Sequence, residues 1–318
     1  MSNNSRLREF PVSFFSVVMG LSGLAIAWQK TQRVLGVNLH IDYFLAAVAG
    51  ITFFVLAAIY TKKWFTYQDA VLAELKHPIK LNFFPAISIS LILLSVVALH
   101  LNPPLAHGFW LAGTGLHLAL MLYVLHVWIN HEHFEIRHLN PAWFIPAVGN
   151  VLVPIAGSSL GYQEISWFFF SVGMLFWLVL LTIIFNRILF HNPIPDGLAP
   201  TLFILIAPPA VGFISYLKLT NSLDGFARVL YYNGLFFTLF LLTQLPRFIK
   251  LPFFLSWWAY SFPLAAVTTA SWVMYEKTGA MGIKIIALAL LLLLTALVCM
   301  LIYKTFLAVK TQKICVPG

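Results

Sequence analysis

Residues 257–266 read Trp257-Trp258-Ala259-Tyr260-Ser261-Phe262-Pro263-Leu264-Ala265-Ala266, inside an apolar run over 251–275 that holds no charge. Pro263 removes one backbone donor and presses on the preceding turn, so a helix here is expected to kink. The bulky Phe262 ring before it and the small Ala265 and Ala266 after it sit at that kink. The surrounding chain shows what kind of helix this is. Of 318 residues, 61% are hydrophobic and 9% charged. The mean hydropathy is +0.90. A soluble domain has no room for so much apolar surface, and the class is polytopic helical membrane protein.

Ten spans are predicted, near 10–28, 42–61, 82–101, 108–129, 142–160, 165–186, 198–217, 227–245, 251–275 and 279–303. Each can cross a hydrocarbon core of roughly 30 Å. The whole chain, 1–318, then forms a single transmembrane domain with short connections. Arg6 and Arg8 before an apolar run ending Ala25-Ile26-Ala27 outline a cleavable signal peptide. Pro11 and the repeat described next assign that span to the mature protein instead.

The arrangement around Pro263 recurs. The odd-numbered spans hold Phe10-Pro11-Val12, Phe84-Pro85-Ala86, Ile145-Pro146-Ala147, Pro208-Pro209-Ala210 and Phe262-Pro263-Leu264. These prolines are 74, 61, 63 and 54 residues apart, about one helical hairpin each. Five equivalent hairpins predict a quasi-fivefold ring, with the helices kinked at Pro11, Pro85, Pro146, Pro209 and Pro263 inside. Irregular backbone in a membrane is tolerated where protein buries it or a cavity adjoins it. The residue before each proline and the one three after it share a helical face. This nominates Phe10, Phe14, Phe84, Ser88, Gly149, Gly212, Phe262 and Ala266 as lining a central pore. Small residues also let helices pack closely, and from the pattern both readings stand.

The charges narrow the function. All ten acids fall in loops or near span ends. Ion-coupled carriers keep a carboxylate near the midplane, and cation pores use acidic rings; neither is visible. An apolar conduit with basic mouths fits weakly hydrated anions. Lysines and arginines split 13 to 6 in favour of the side carrying both termini, which places the termini in the cytoplasm. The net charge of +9 is scattered along the chain and makes no nucleic-acid patch. Cys299 and Cys315 imply no disulfide framework and no thiolate metal site.

His126, His131, His133 and His138 cluster between 126 and 138, but Glu135 stands where a zinc-protease motif needs its second histidine. The segment reads as an interfacial loop rather than a metal site. His117, mid-span, reads as a buried hydrogen-bonded residue rather than a proton relay. No nucleophile–base pair or phosphate loop marks an enzyme, and no cofactor is expected.

On Phe10-Pro11-Val12, on Asn140-Pro141-Ala142-Trp143-Phe144-Ile145-Pro146 and on Phe262-Pro263, the chain resembles the bacterial TehA members of the tellurite-resistance/dicarboxylate transporter family. That family is related to the slow anion channels of plant guard cells. The resemblance implies passive flow of small monovalent inorganic anions through one pore per subunit of a homotrimer in the bacterial inner membrane. It also implies that Phe262 closes the pore, with Phe84 matching a second pore phenylalanine. The kinase control carried by long cytosolic tails in the plant proteins is not expected here. Two alternatives remain: a proton-coupled secondary transporter of tellurite or dicarboxylates, and a closed bundle with a structural or receptor role.

Overall fold

The computed structural model describes residues 3–131 and 134–315, with the side chains of 3–5 left aside. All regular secondary structure among the described residues is helical. Ten principal helices run α1 Phe15–Leu35, α2 Ile41–Thr66, α3 Pro85–Ala98, α4 Pro103–Asn130 and α5 Phe144–Gly157, then α6 Gln163–Phe190, α7 Ala207–Thr220, α8 Gly225–Thr243, α9 Ser261–Thr278 and α10 Met281–Lys310. Eight spans, some including the 3₁₀ turn before the helix, are long and apolar enough to cross a membrane. Pro141–Gly157 is apolar but shorter, and Ser261–Thr278 is outside that set of eight. The chain is therefore a multi-pass membrane protein by the composition and length of its helices.

Each odd-numbered helix packs against the even-numbered helix that follows it. The turns inside these hairpins are tight. Gly36, Asn221 and Gly279 close α1, α7 and α9 in the left-handed conformation, at φ of 66°, 56° and 68°. Asn102 and Asp224 cap the starts of α4 and α8 by accepting from the backbone N–H groups of Leu105 and Ala227.

The odd helices form the interior. α1 packs on α3, α3 on α5, α5 on α7, α7 on α9, and α9 back on α1. Every residue of α5 is buried. In the spans that contain α1, α3 and α7, 67–89% of the most apolar stretch is buried, against 22–39% in the even helices. The even helices turn Phe54, Leu122, Phe168, Phe236 and Leu292 outward, as lipid-facing surfaces do. Several of them run well beyond their predicted ends, α6 to Phe190 and α10 to Lys310 among them, whereas α8 stops at Thr243, short of its own.

Small residues set the hairpin spacing. A Cβ on Gly173 of α6 would lie 3.0 Å from the Val151 nitrogen and 3.1 Å from the Ala147 oxygen of α5. Backbone atoms cannot swing aside, so the helices touch only because position 173 has no side chain. Gly173→Val is expected to destabilise the protein by roughly 1–3 kcal/mol through overpacking. Thermal melting in detergent measures this, and an unchanged melting temperature would show that the hairpin spacing has slack.

Candidate functional site

Each inner helix opens with a 3₁₀ turn: Val12–Phe14, Lys80–Phe83, Pro141–Trp143, Ala199–Ile206 and Leu255–Tyr260. The repeat prolines sit at these openings rather than in helix interiors. Pro11 precedes its 3₁₀ turn, Pro85 begins α3, and Pro146, Pro209 and Pro263 are third in α5, α7 and α9. First-turn N–H groups have no intrahelical acceptor, so a proline there sacrifices no hydrogen bond. The expected mid-helix kinks are thus 3₁₀-to-α junctions. The proline inside a helix is Pro154 of α5.

Two cavities lie among the inner helices. The first, about 270 Å³, adjoins their N-terminal ends; the second, about 50 Å³, lies farther along them. All five inner helices, with the 3₁₀ turns that lead into α7 and α9, supply both walls in the same helical rhythm. The first wall takes Ser16 and Met19, Ala86 and Ile89, Ile145 and Val148, Ile204 and Ala207, and Ala259 and Phe262. The second takes Gly23 and Ile26, Leu93 and Val96, Leu152 and Ile155, Val211 and Ile214, and Ala266 and Thr269. Within each helix the four positions are spaced i, i+3, i+7 and i+10, one continuous face. Phe262 belongs to both walls.

Of the nominated lining residues, Phe262 and Ala266 are on these walls, as are Pro11 and Pro263. The others face elsewhere. Ser88 Oγ lies 2.9 Å from Nδ1 of His117, whose Nε2 is 2.9 Å from the Pro146 carbonyl. This fully buried histidine clasps α3, α4 and α5 together, and Gly149 is where its ring fits, since a Cβ there would lie 2.0 Å from Cε1. Gly212 faces Met174 and Leu230 on outer helices. Phe84 packs edge-on against Tyr60, and Phe10 stacks on Phe14 at 4.5 Å. Met19, Ile89, Val148 and Ala207, which stand level with Phe262 in the wall rhythm, were not singled out by the proline pattern.

The family model described as "SLAC1: Voltage-dependent anion channel" matches residues 9–306. The chain belongs to the SLAC1 anion-channel family. It is 31% identical over 309 residues to the S-type anion channel SLAH3 of Arabidopsis thaliana, covering 93% of this chain but 49% of the plant protein. It is 27% identical to the uncharacterized transporter MJ0762 of Methanocaldococcus jannaschii, over 86% of this chain and 87% of the other. It is 26% identical to the tellurite resistance protein TehA homolog of Haemophilus influenzae, over 92% and 90%. The chain thus spans about half of the plant channel and nearly all of the two microbial proteins. This is a family of anion channels and transporters, not of enzymes.

In this SLAC1-family chain the mouth of the first cavity is polar. Ser256 Oγ lies on its wall without a hydrogen-bond partner. His77 and Lys80 flank it. Burial, and then Lys80 and His138, hold the His77 imidazole below its usual range. Glu74, the carboxylate on this wall, is neutralised by Lys63 at 2.9 Å and also accepts from Tyr60 Oη at 2.8 Å. Lys63 donates in addition to the Phe10 carbonyl at 2.8 Å, so the buried pair anchors the opening of α1. At the far ends of the inner helices Lys30 pairs with Glu276, and Arg33 and Lys218 act together on His100. The segment over 126–138, expected as a loop, begins as the C-terminal end of α4, which holds His126, and gathers no metal site among the described residues. His126 bonds Asn130 and His138 Nδ1 accepts from the Glu135 N–H, while Glu132 and His133 lie outside the described residues.

Glu74→Ala would leave the Lys63 ammonium buried without its counter-charge, which costs about 3–5 kcal/mol. A sharply lower melting temperature in detergent is the expected outcome. The double variant Lys63→Met/Glu74→Leu should recover most of the loss. Equal damage in both would assign the role to some other contact of Glu74.

Proposed function

We propose that this chain is a passive channel for small monovalent inorganic anions, closed at rest by Phe262. The observation that carries the reading is the place of Phe262 on the walls of both cavities. In this reading all ten helices are membrane spans, arranged as five hairpins in a quasi-fivefold ring, and the two cavities are halves of one axial conduit. The benzyl ring separates them by volume and by keeping water out of an apolar constriction. Both termini face the cytoplasm of the bacterial inner membrane, and each subunit of a homotrimer carries its own conduit.

Three features support an anion as the passenger. Between the mouths the wall residues carry no charge, and Glu74 at the first mouth is already paired. A conduit without fixed negative charge lets an anion pass, and an apolar one favours ions that lose little on dehydration. The inner helices start at the same end, so five helix N-termini, each roughly half a positive elementary charge, converge on the first cavity. The far mouth adds Arg33 and Lys218, while Lys30 there is paired with Glu276. The absence of a carboxylate from the walls beyond Glu74 also favours a channel over a proton-coupled carrier, which needs a titratable site midway.

Reconstituted bilayers under an anion gradient test the proposal. Phe262→Ala is expected to raise anion conductance roughly tenfold or more by opening the constriction. Phe84→Ala and Phe14→Ala should change it far less, because their rings lie off the cavity walls. Unchanged current in Phe262→Ala rejects the gate, and a larger effect from Phe84→Ala or Phe14→Ala moves it. Saturable uptake of tellurite or dicarboxylates driven by a pH gradient, with no current, would replace the channel by a transporter. No flux in any variant would leave a closed bundle.

A further inference from the structure

The structure holds a third cavity, on the outside of the inner ring of contacts, that the conduit does not use. It is a groove of about 300 Å³ between the α7–α8 and α9–α10 hairpins, at the end of the molecule where the chain begins and ends. One wall is a single stripe of α10, Leu293, Leu297, Met300 and Lys304. The stripe is apolar for three positions and ends in a cation. It runs for roughly 16 Å at 1.5 Å per residue, which matches the roughly 15 Å depth of one leaflet of the hydrocarbon core.

Opposite the stripe are Trp257 and Tyr260 of the 3₁₀ turn that leads into α9. Both are more than nine-tenths buried. Yet Trp257 Nε1 and Tyr260 Oη have no hydrogen-bond partner. Buried donors without partners are costly, and a ligand with acceptor oxygens relieves that cost. Charge at the mouth selects the same chemistry. Arg247 and Lys250, on the segment that floors the groove, and Lys304 make no ion pair among the described residues. The sequence places no acid between Asp224 and Glu276 and none after Glu276.

We propose that this groove is a binding site for an anionic phospholipid. One acyl chain lies along Leu293, Leu297 and Met300, the ester oxygens accept from Trp257 and Tyr260, and the phosphate meets Lys304. Basic residues at the membrane surface attract such headgroups. The site bears on the conduit through a shared element. The 3₁₀ turn Leu255–Tyr260 shows Trp257 and Tyr260 to the groove and Ser256, Trp258 and Ala259 to the first cavity. Its Trp258 Nε1 is tied to Thr305 of α10 at 2.9 Å, and Phe262 follows two residues after the turn ends at Tyr260.

Native mass spectrometry of the full chain in mild detergent tests the site, with phosphatidylglycerol compared against phosphatidylcholine of identical acyl chains. Wild type is expected to retain phosphatidylglycerol preferentially. Lys304→Ala should lower that retention about fivefold towards the phosphatidylcholine level, and Leu297→Trp, which fills the groove, should abolish retention of both. Phosphatidylglycerol with brominated acyl chains should quench Trp257 emission, read as the difference between wild type and Trp257→Phe. Should Leu297→Trp fail to fold, Lys304→Ala and the quenching decide alone. Equal retention of the two lipids by wild type, or no quenching at Trp257, overturns the proposal. If Leu297→Trp splits an oligomer while lipid retention stays intact, a second copy of the chain covers the groove and the lipid site is rejected.

Discussion

Five inner helices that all start at the same end constitute the constraint from which the rest of the structure follows. Each must return before the next can start, so every inner helix needs an outer, antiparallel partner. The outer helices can then take the lipid contact, and they do so with exposed Phe, Leu and Ile. The antiparallel outer helices oppose the inner dipoles, but none of them lines the first cavity, so there the dipoles of the five inner helices add. The N-terminal ends therefore make a field that favours an anion and penalises a cation. The unpartnered Ser256 hydroxyl and the compensated Glu74 carboxylate are consistent with that field.

The helices and their pairing were largely legible in the sequence, because apolar runs of span length and a period near 63 residues survive in the order of residues alone. The faces of the inner helices were not. The proline repeat marks where each helix begins but does not fix its rotation. The prolines stand at no fixed place relative to the 3₁₀ turns: Pro11 comes before its turn, while Pro85, Pro146, Pro209 and Pro263 come after theirs. The offset from proline to wall therefore differs from helix to helix, and at about 100° per residue each step of offset turns a different face inward. The residue level with Phe262 is two before Pro209 in one helix and four after Pro85 in another, and Ser88, Gly149 and Gly212 turn outward.

His117 shows the opposite case, in which a residue type carried its own environment. A histidine amid apolar neighbours must find two partners when it is buried. It finds Ser88 and the Pro146 carbonyl, on the two inner helices beside its own. The same contact accounts for Gly149, a small residue the proline pattern assigned to the conduit. What was not legible is that one outer helix staples two inner ones, since nothing local to 117 names residues 88 and 146 as its neighbours.

In the proposed channel, the asymmetry of the wall would let a single aromatic ring suffice. The positions level with Phe262 are Met19, Ile89, Val148 and Ala207, and the next level holds Gly23 and Ala266. A Cβ on Gly23 would lie 2.8 Å from the Ala265 Cβ and 3.5 Å from Cδ2 of Phe262. The missing side chain thus lets α1 approach α9 closely beside the ring, with Ala265 filling the space a larger residue would need. Five large rings could not share one narrow axis at native packing density. Under the proposal, the Phe262 ring, with Met19, Ile89, Val148 and Ala207 around it, would fill the constriction and need no matching ring from the other helices. A closure of that kind depends on the rotamer of one side chain and on the 3₁₀ turn that aims it. In the proposed channel, small movements of Leu255–Tyr260 would be passed directly to Phe262, two residues beyond the turn.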